Sequence, residues 1–434
     1  MKTELLPYQK DGVEFAHKHR WTLNLCPMGL GKSIQALALT EKAATKPSKT
    51  VIICPSFLVA NWWKEIQKHC DSKEGFVFYT YGKMSRDKEI PKSVLGARLV
   101  IVDEIHYCKN LESARTKMLY KVLKKLQPIY FIGLTGTPIK NRVPEFYALL
   151  KCISLAPEPS LAGYDTVRYY PTYHDFCRRF CYPRERYFGR RRTLDYIGFR
   201  PEKTEEFKKL LERKVFRVDP DKVLTLPPIE HRRIQSGISF KPELAEEFER
   251  YLSSGGRDIV AKASSARLKA PKTVEYVTSL LDQGEKPVVV FTDHVDSATA
   301  IAESLKVRAI TGATPIPIRN AIVQNFESGN QDVFVATIGT MSVGVNLVKA
   351  RHLVFNDMSW VPGDNAQALK RIHRIGQTRA CQVHYMLGGK VDEHIVDTLE
   401  EKMKVIDETS DIALKLTDEQ NEKTKSMVEA FDAP

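Results

Sequence analysis

The chain has 434 residues, 43% of them hydrophobic and 27% charged, a length and composition that predict two to four globular domains of about 100–200 residues each. No apolar run reaches the ~18–20 residues that span a bilayer, and no apolar signal core opens the chain, so membrane integration is excluded and secretion is not expected. The net charge of +13 is concentrated in residues 1–150 (+11) and 151–240 (+7), which predicts a polyanionic partner for this part of the chain.

Short apolar, β-branched runs alternate with helix-length segments, in one group before about residue 150 and a second group after about residue 285. Near-continuous apolar strands between helices indicate parallel sheets that are buried on both faces. The sequence therefore predicts an α/β fold with two lobes. The predicted strands are Thr22–Leu25, Val51–Cys54, Leu99–Val102, Tyr130–Leu134, Val288–Phe291, Val333–Ala336, His352–Phe355 and Val383–Leu387.

The segment between the two groups is rich in proline and arginine at first and has a helical pattern from about Lys203 to Arg217. After the second group, apolar residues at helical spacing predict an amphipathic closing helix; they are Val391, Ile395, Leu399, Met403 and Ile406. We therefore expect a first lobe over residues 1–152, a helical, Arg-rich insertion over 153–275, a second lobe with the closing helix over 276–406, and an acidic polar tail over 407–434.

A candidate phosphate-binding loop follows the first predicted strand and precedes an apolar-periodic helix, which is the context that such a loop requires. Its glycines would let backbone N–H groups turn onto phosphate oxygens. Its lysine would reach the β- and γ-phosphates, and its serine hydroxyl would bind Mg²⁺. Cys26 stands where the usual pattern has its first glycine, and alone the segment could be a plain Gly-rich turn. The expected nucleotide-binding residues are Met28, Gly29, Leu30, Gly31, Lys32 and Ser33.

The third predicted strand ends in two carboxylates, Asp103 and Glu104. Asp103 is placed to hold Mg²⁺ through water, and Glu104 is placed to orient and deprotonate the attacking water. A lone acidic pair often marks a solvated turn. About 70 residues after a phosphate-binding loop, the pair instead indicates nucleotide hydrolysis.

Two arginines in the second group, Arg371 and Arg374, are three residues apart, a spacing that would place both on one face of a helix. A guanidinium that reaches the γ-phosphate from a second lobe stabilises the charge of the transition state. In isolation the pattern also describes a solvated basic helix face. Beside the loop and the acidic pair, it predicts arginine fingers.

These elements, in this order, resemble the Swi/Snf-type branch of the superfamily-two helicase-like ATPases, from Leu6 to about residue 406. The most specific stretch of the resemblance runs from Trp360 to Gln377. The resemblance implies two RecA-like lobes, ATP and Mg²⁺ as cofactors, and a coupling motif at Leu134–Asn141 that links the ATP state to lobe movement. It further implies that Gln9 reads adenine and that Gly344 and Gln367 contribute to ATP binding.

The chain departs from the family pattern in three places. Cys26 and Pro27 replace an acidic pair, and Ser33 replaces the usual threonine, but neither change removes a phosphate ligand. Residues Thr337–Ser342 differ from the Gly-rich family version, which puts DNA contacts there in doubt. The insertion is more similar to that of fork-remodelling and strand-annealing members than to that of nucleosome remodellers.

Two groups of residues are expected to contact DNA. Small hydroxyls near strand ends would follow the phosphates of one strand, although each could equally be a helix cap or a turn residue; they are Ser56, Thr80, Thr311 and Thr337. Residues 168–192 hold eight arginines and eight interleaved aromatics, so the arginines would contact phosphate, unless the aromatics form a small core and the arginines are only solvated. The arginine candidates are Arg178, Arg179, Arg190, Arg191 and Arg192.

Other aromatic and thiol residues of the chain are expected to be structural. Trp62, Trp63 and Trp360 are more typical of core positions than of base stacking. His174, Cys177 and Cys181 lack an evident fourth ligand, so we expect packed thiols and no zinc.

The sequence thus predicts a DNA-dependent ATPase that translocates on double-stranded DNA and remodels branched DNA by branch migration, fork regression or strand annealing. It would act as a monomer on DNA, in the cytoplasm or at the nucleoid, or in the nucleus if the source is eukaryotic. The alternatives are a strand-separating DNA or RNA helicase, a chromatin or protein-complex remodeller, and a nucleotide-gated DNA clamp without turnover.

Overall fold

The protein forms two compact units in a computed structural model, Met1–Val223 and Leu224–Lys404. Along the described parts of the chain, every helix is too short or too polar to cross a bilayer. The predicted closing helix and tail lie outside these parts apart from three residues, and the predicted four-part division stays a prediction. The structure describes residues 1–42, 49–136, 143–157, 166–188, 191–197, 199–219, 223, 226–237, 259–342, 345–359, 361–388, 392, 396 and 397.

The first unit is built on a parallel sheet of six strands within its described residues. The strands are β1 (Trp21–Asn24), β2 (Thr50–Cys54), β3 (Phe76–Thr80), β4 (Leu99–Asp103), β5 (Tyr130–Leu134) and, after a separate hairpin described below, β8 (Val215–Phe216). Their order across the sheet is β3-β2-β4-β5-β1-β8. The predicted parallel α/β architecture is confirmed for this unit.

Helices pack on both faces of this sheet because its strands are apolar on both sides. Along β2, Val51 and Ile53 join one buried cluster, and Ile52 and Cys54 join the other. A strand that buries every residue in this way has the continuous apolar sequence of a parallel sheet. The helices are α1 (Pro7–His19), α2 (Lys32–Lys42), α3 (Val59–His69), α4 (Tyr81–Arg86), α5 (Ala114–Leu126), α6 (Phe146–Ile153), α7 (Thr166–Tyr169), α8 (Tyr173–Phe180) and α9 (Thr204–Leu211).

The helical pattern expected up to Arg217 ends earlier than predicted. Helix α9 stops at Leu211, and the next residues form β8, which pairs with β1 at Leu23↔Val215. Lys214 between them is fully buried, and its Nζ donates a hydrogen bond to the carbonyl of Leu210 at 2.7 Å. The prediction was wrong here because a two-residue strand leaves almost no periodicity in the sequence.

The Arg-rich segment packs onto the first unit through its aromatic residues. Phe176 and Phe180 of α8 are fully buried, and their rings lie 5.0 Å apart. They contact Phe207 of α9, with which Phe180 makes an edge contact at 5.2 Å. An antiparallel hairpin of β6 (Tyr182–Phe188) and β7 (Arg191–Ile197) follows α8. The alternative in which aromatic residues form a small core therefore applies to Phe176 and Phe180. The hairpin was not predicted from the sequence.

The second unit contains a parallel sheet in the order β11-β10-β12-β13-β9 among its described residues. Four of these strands match predicted ones, whereas β9 was missed. The strands are β9 (Ile229–Gln235), β10 (Val288–Thr292), β11 (Val333–Thr337), β12 (His352–Phe355) and β13 (Cys381–Leu387). The helices are α10 (Ile259–Asp282), α11 (Val295–Ser304), α12 (Ile316–Ser328) and α13 (Pro362–Leu369).

A buried chain of hydrogen bonds runs through this second sheet. The phenol of Tyr276 lies 2.9 Å from Nδ1 of His384, whose Nε2 lies 3.1 Å from Nδ1 of His352. Nε2 of His352 lies 3.0 Å from Oε2 of Glu285. If both rings are neutral, each N–H faces an acceptor, so the chain is satisfied without a buried imidazolium. Burial, followed by the neighbouring His352, lowers the pKa of His384 to about 3.

The buried, neutral His384 of this hydrogen-bond chain predicts that the folded protein becomes less stable as the pH falls. Below the unfolded pKa of about 6.5 the unfolded His384 gains a proton that the folded ring does not, so this residue alone should cost about 1.4 kcal/mol between pH 7.5 and pH 5.5. Urea unfolding at the two pH values should show a smaller pH-dependent loss for His384→Gln than for the wild type. Equal pH-dependent losses for the two proteins would contradict the prediction.

Candidate functional site

The predicted phosphate loop lies between β1 and α2, at the carboxyl edge of the first sheet. Gly29 and Gly31 have left-handed backbone, with φ of 88° and 70°, which glycine adopts without strain. A Cβ on Gly31 would also lie 2.5 Å from Nε2 of Gln9. The left-handed conformation therefore favours glycine at position 31, and a side chain there would displace the amide of Gln9.

Helix α1 is fastened to this loop by two polar side chains. Nε2 of Gln9 and the hydroxyl of Tyr8 both donate to the carbonyl of Leu30, at 3.4 and 3.3 Å. Oε1 of Gln9 accepts from the N–H of Leu6 at 3.0 Å, and the Gln9 side chain is buried. The residue predicted to read adenine thus lies against the phosphate loop.

A buried amide pair that the sequence did not reveal fixes the two ends of the loop. Nδ2 of Asn24 donates to Oε1 of Gln35 at 2.8 Å, and Oδ1 of Asn24 accepts from the N–H of Cys26 at 3.1 Å. Nε2 of Gln35 donates to the carbonyl of Leu30 at 3.3 Å. Burial raises the pKa of the Cys26 thiol to about 11, so the residue that replaces the first glycine is a neutral part of the packing.

Lys32 begins α2, and Ser33 follows it in the first turn, half-buried. Nζ of Lys32 donates to the loop carbonyls of Cys26 and Pro27, at 2.9 and 3.2 Å. A Cβ placed on Gly136, after β5, would lie 3.3 Å from the same Nζ. The ammonium group of Lys32 therefore lies against the carbonyls of the loop and beside Gly136, just after the end of β5.

Asp103 ends β4, and its carboxylate has two fixed donors. Oδ2 accepts from the indole Nε1–H of Trp62 at 2.8 Å, and Oδ1 accepts from the backbone N–H of Glu104 at 3.0 Å. Burial and then the charge of Glu104 raise the pKa of Asp103, against the lowering effects of the indole and of Lys32. A cation near this carboxylate would therefore relieve an electrostatic cost.

Glu104 adopts left-handed backbone, with φ of 52° and ψ of 49°, which is uncommon for a residue with a side chain and is typical of functional sites. Its Oε2 lies 3.2 Å from Nδ1 of His106 and 3.5 Å from the hydroxyl of Thr135. His106 and Thr135 are 2.9 Å apart and buried. Thr135 belongs to the predicted coupling motif, of which residues 137–141 lie outside the described parts of the chain.

The second unit positions Arg371 and Arg374 differently from the prediction. Helix α13 ends at Leu369, so the two arginines lie in the turns that follow it and not on one helix face. Arg371 is buried, and its carbonyl accepts from the N–H of Leu347 at 2.9 Å. Gln367 is buried within α13, and Gly344 lies outside the described residues.

Gln377, at the end of the most specific family stretch, holds these turns in place. Its Nε2 donates to the carbonyls of Val348, Ala350 and Ile372, at 3.0, 2.9 and 3.2 Å. Its Oε1 accepts from the N–H groups of the next two residues. The family motif includes this glutamine, but only the structure shows that its side chain binds backbone carbonyl and N–H groups.

Three of the hydroxyls predicted to contact DNA lie at or just after strand ends, and Thr311 follows Ile310, which bridges to Ala336 of β11. In the first unit Ser56 is exposed after β2, whereas Thr80 ends β3 and caps α4 by accepting from the N–H of Lys83 at 3.4 Å. In the second unit the N–H of Thr311 donates to Oγ1 of Thr314 at 2.9 Å. Thr337 is buried, and its hydroxyl donates to Oγ1 of Thr340 at 3.3 Å.

The predicted DNA-binding arginines differ in their surroundings. The side chain of Arg178 is 68% exposed, with Asp175 4.0 Å away. Arg179 instead makes a two-pronged contact with Glu206, whose oxygens accept from its Nε at 2.8 and 3.0 Å. Arg190 lies outside the described residues, and Arg191 and Arg192 are described only as backbone of β7.

The remaining aromatic and thiol candidates are mostly structural. Trp62 is buried, but Trp63 is 38% exposed, so its expected core position is wrong; Trp360 lies outside the described residues. Cys177 and Cys181 are fully buried in the aromatic cluster. Nδ1 of His174 lies 3.1 Å from the hydroxyl of Tyr196.

Comparison with solved and curated proteins gives relatives along nearly the whole chain. It is 28% identical over 93% of its length to the SWI/SNF-related matrix-associated actin-dependent regulator of chromatin subfamily A-like protein 1 of Xenopus tropicalis. It is also 28% identical over 94% of its length to the DNA annealing helicase and endonuclease ZRANB3 of Mus musculus. The chain spans only 45% and 41% of these two proteins.

A solved structure, the Sulfolobus solfataricus SWI2/SNF2 ATPase core in complex with dsDNA, is 22% identical to the chain. The match covers 94% of this chain and 93% of that one, with a TM-score of 0.40.

Family comparisons match both units. Residues 272–376 match the helicase conserved C-terminal domain. Residues 8–75 and 72–228 match the SNF2-related domain, and this stretch contains the phosphate loop, the acidic pair and the aromatic cluster. Because the second match covers more than half of the chain, this protein belongs to the SNF2-related family.

Proposed function

We propose that the protein is a DNA-dependent ATPase that translocates on double-stranded DNA and remodels branched DNA. The observation that carries the proposal is the partly buried acidic pair, Asp103 and Glu104, at the same sheet edge as the glycine loop that ends in Lys32. The mouse relative is named a DNA annealing helicase and endonuclease, which supports the choice of branched DNA as substrate.

The described residues fit ATP and Mg²⁺. Mg²⁺ prefers hard oxygen ligands, and the carboxylate of Asp103 and the hydroxyl of Ser33 supply them. The left-handed glycines free backbone N–H groups of the loop for phosphate oxygens, and Lys32 adds a positive charge. When bound, Mg²⁺ would neutralise charge on the β- and γ-phosphates.

Glu104 is proposed as the general base. Its carboxylate would orient a water against the γ-phosphate and accept the proton at one of its oxygens. His106 and Thr135 hold Oε2 of that carboxylate, which limits its rotation. We further propose that Arg371 and Arg374 act as arginine fingers on the γ-phosphate, with Gln377 fixing the turn that carries them.

DNA binding is proposed to rest on phosphate contacts. Backbone and hydroxyl groups near Ser56, Thr80, Thr311 and Thr337 would follow one strand, and the charge of +18 over residues 1–240 would attract the duplex. Alternating strong and weak DNA binding by the two units, driven by the nucleotide cycle, would advance the protein along the duplex.

Replacement of Glu104 tests its proposed role as the general base in ATP hydrolysis. Glu104→Gln should lower steady-state ATP hydrolysis by about 10²–10⁴-fold, because the amide cannot accept the proton of the water. Binding of ATP and DNA, measured separately, should persist. Glu112→Gln, at an exposed carboxylate paired with Lys117, is the control and should hydrolyse ATP like the wild type. Normal hydrolysis by Glu104→Gln would remove this residue from the mechanism.

Two neighbouring arginines test the proposed phosphate contacts. Arg178→Ala should weaken duplex binding and reduce the slope of log affinity against log salt by about 0.9, the value for one lost phosphate contact. Arg179→Ala should change that slope less, because its guanidinium is already engaged by Glu206. Fluorescence anisotropy over a salt series measures both slopes. Equal slopes for Arg178→Ala and the wild type would exclude the contact.

A panel of nucleic acids tests the substrate. Duplex and forked DNA should stimulate ATP hydrolysis more than single strands or RNA, and ATP should drive branch migration of a four-way junction. Stronger stimulation by single strands or RNA would instead indicate a strand-separating helicase. DNA binding without any hydrolysis would indicate a clamp.

A further inference from the structure

The first proposed DNA-contact segment of the first unit is connected through a tryptophan to Asp103, the proposed Mg²⁺ ligand. Ser56 begins a 3₁₀ turn, Ser56–Leu58, that leads directly into α3. Trp62 in the first turn of α3 is 1% exposed, and its indole donates to Oδ2 of Asp103 at 2.8 Å. The exposed Ser56 and the partly buried carboxylate of Asp103 are therefore joined by one short helical segment and one hydrogen bond.

The second proposed segment has a parallel connection. Thr80 caps α4, and the next residue, Tyr81, is buried. The Tyr81 hydroxyl donates to the carbonyl of Asp103 at 2.8 Å and lies 3.3 Å from the carbonyl of Glu104. Its ring stacks on Tyr107 at 5.3 Å. Burial raises the pKa of Tyr81 well above its ordinary value, so the hydroxyl remains a donor.

The two connections act on different parts of the acidic pair. Trp62 holds the carboxylate of Asp103, whereas Tyr81 contacts the main-chain carbonyls of Asp103 and Glu104, on both sides of Glu104. Trp62 lies on α3, which follows β2, and Tyr81 begins α4, which follows β3. Strands β3, β2 and β4 are consecutive in the sheet, so both helices start near the end of β4. Buried aromatic side chains have few rotamers, so a displacement of either segment must move the acidic pair or break a buried hydrogen bond.

We propose that Trp62 and Tyr81 are positioning residues that couple DNA contact at Ser56 and Thr80 to the geometry of Asp103 and Glu104. The inference rests on the proposed function, because it needs one protein that binds both DNA and ATP. It adds a route within the first unit by which duplex binding tightens the binding of Mg·ATP. By linkage, Mg·ATP must tighten duplex binding by the same factor.

The experiment measures that factor in binding, without turnover. Duplex affinity is determined with and without a non-hydrolysable ATP analogue and Mg²⁺, and the affinity for the analogue is determined with and without duplex. Trp62→Phe and Tyr81→Phe keep the rings and remove one donor each. Each should lower the coupling factor at least about threefold, out of a total of about 5–150-fold that is typical of allosteric coupling, and the double variant should bring it close to one.

Two matched controls lie beside these residues. Trp63→Phe changes the adjacent indole of the same helix, which is exposed and faces Phe78. Tyr79→Phe removes a buried hydroxyl of β3 that donates to Asp87 at 3.0 Å and not to the acidic pair. Both controls should keep the wild-type coupling factor.

The outcomes separate the inference from the proposed function. A wild-type protein that fails to bind DNA or the analogue overturns the proposed function. A wild-type protein that binds both ligands without coupling, or variants that couple as strongly as the controls, overturn only the role of Trp62 and Tyr81.

Hydrogen exchange on the wild type decides the question if a variant does not fold. Duplex added without nucleotide should slow exchange of the backbone amides of residues 99–108, around the acidic pair, as well as those near Ser56 and Thr80. Protection confined to the two contact segments would overturn the inference.

Discussion

Two adjacent, partly buried carboxylates impose the constraint on which the first unit's site depends. Withdrawing a carboxylate from water without hydrogen-bond partners is costly, and Asp103 ends β4, whose other residues are all buried, while Glu104 follows directly. Their hydrogen-bond partners are Trp62 of α3, Thr135 after β5, and His106 in the turn that directly follows the pair. Because all of these segments meet at one edge of the sheet, the positions of the carboxylates depend on the whole edge.

The parts of this arrangement that could be predicted from the sequence have local signals. A run such as Val51–Cys54 is apolar at every position, and the phosphate loop is a continuous segment with fixed glycine spacing. The missed parts depend on distant partners. Strand β9 is mostly polar along Ile229–Gln235 and is defined by its pairing with β13, and the indole of Trp62 bonds to a residue 41 positions away. Neither relation leaves a periodicity.

The Arg-rich segment shows how one pattern can carry two meanings. Along α8, Phe176 and Phe180 face the core, whereas Arg178 and Arg179 between them remain partly exposed. Interleaved aromatics and arginines are thus the two faces of an amphipathic helix, and the aromatic face is occupied by packing. The guanidinium of Arg178 is more available to phosphate than that of Arg179, which is paired with Glu206 of another helix. Composition could not predict this difference, because it depends on a residue distant in the sequence.

Three buried glutamines, Gln9, Gln35 and Gln377, perform a related task near charged groups. Each amide offers two N–H donors and one acceptor without a net charge, and each donates to loop carbonyls. A lysine or glutamate in these places would add a buried charge beside groups whose own charge is proposed to act on phosphate. Neutral amides shape the loops while leaving the local potential to Lys32, Asp103 and the arginines. The family motifs therefore combine two kinds of residue, those that shape the backbone and those proposed to meet the ligand, and burial with hydrogen-bond direction separates them.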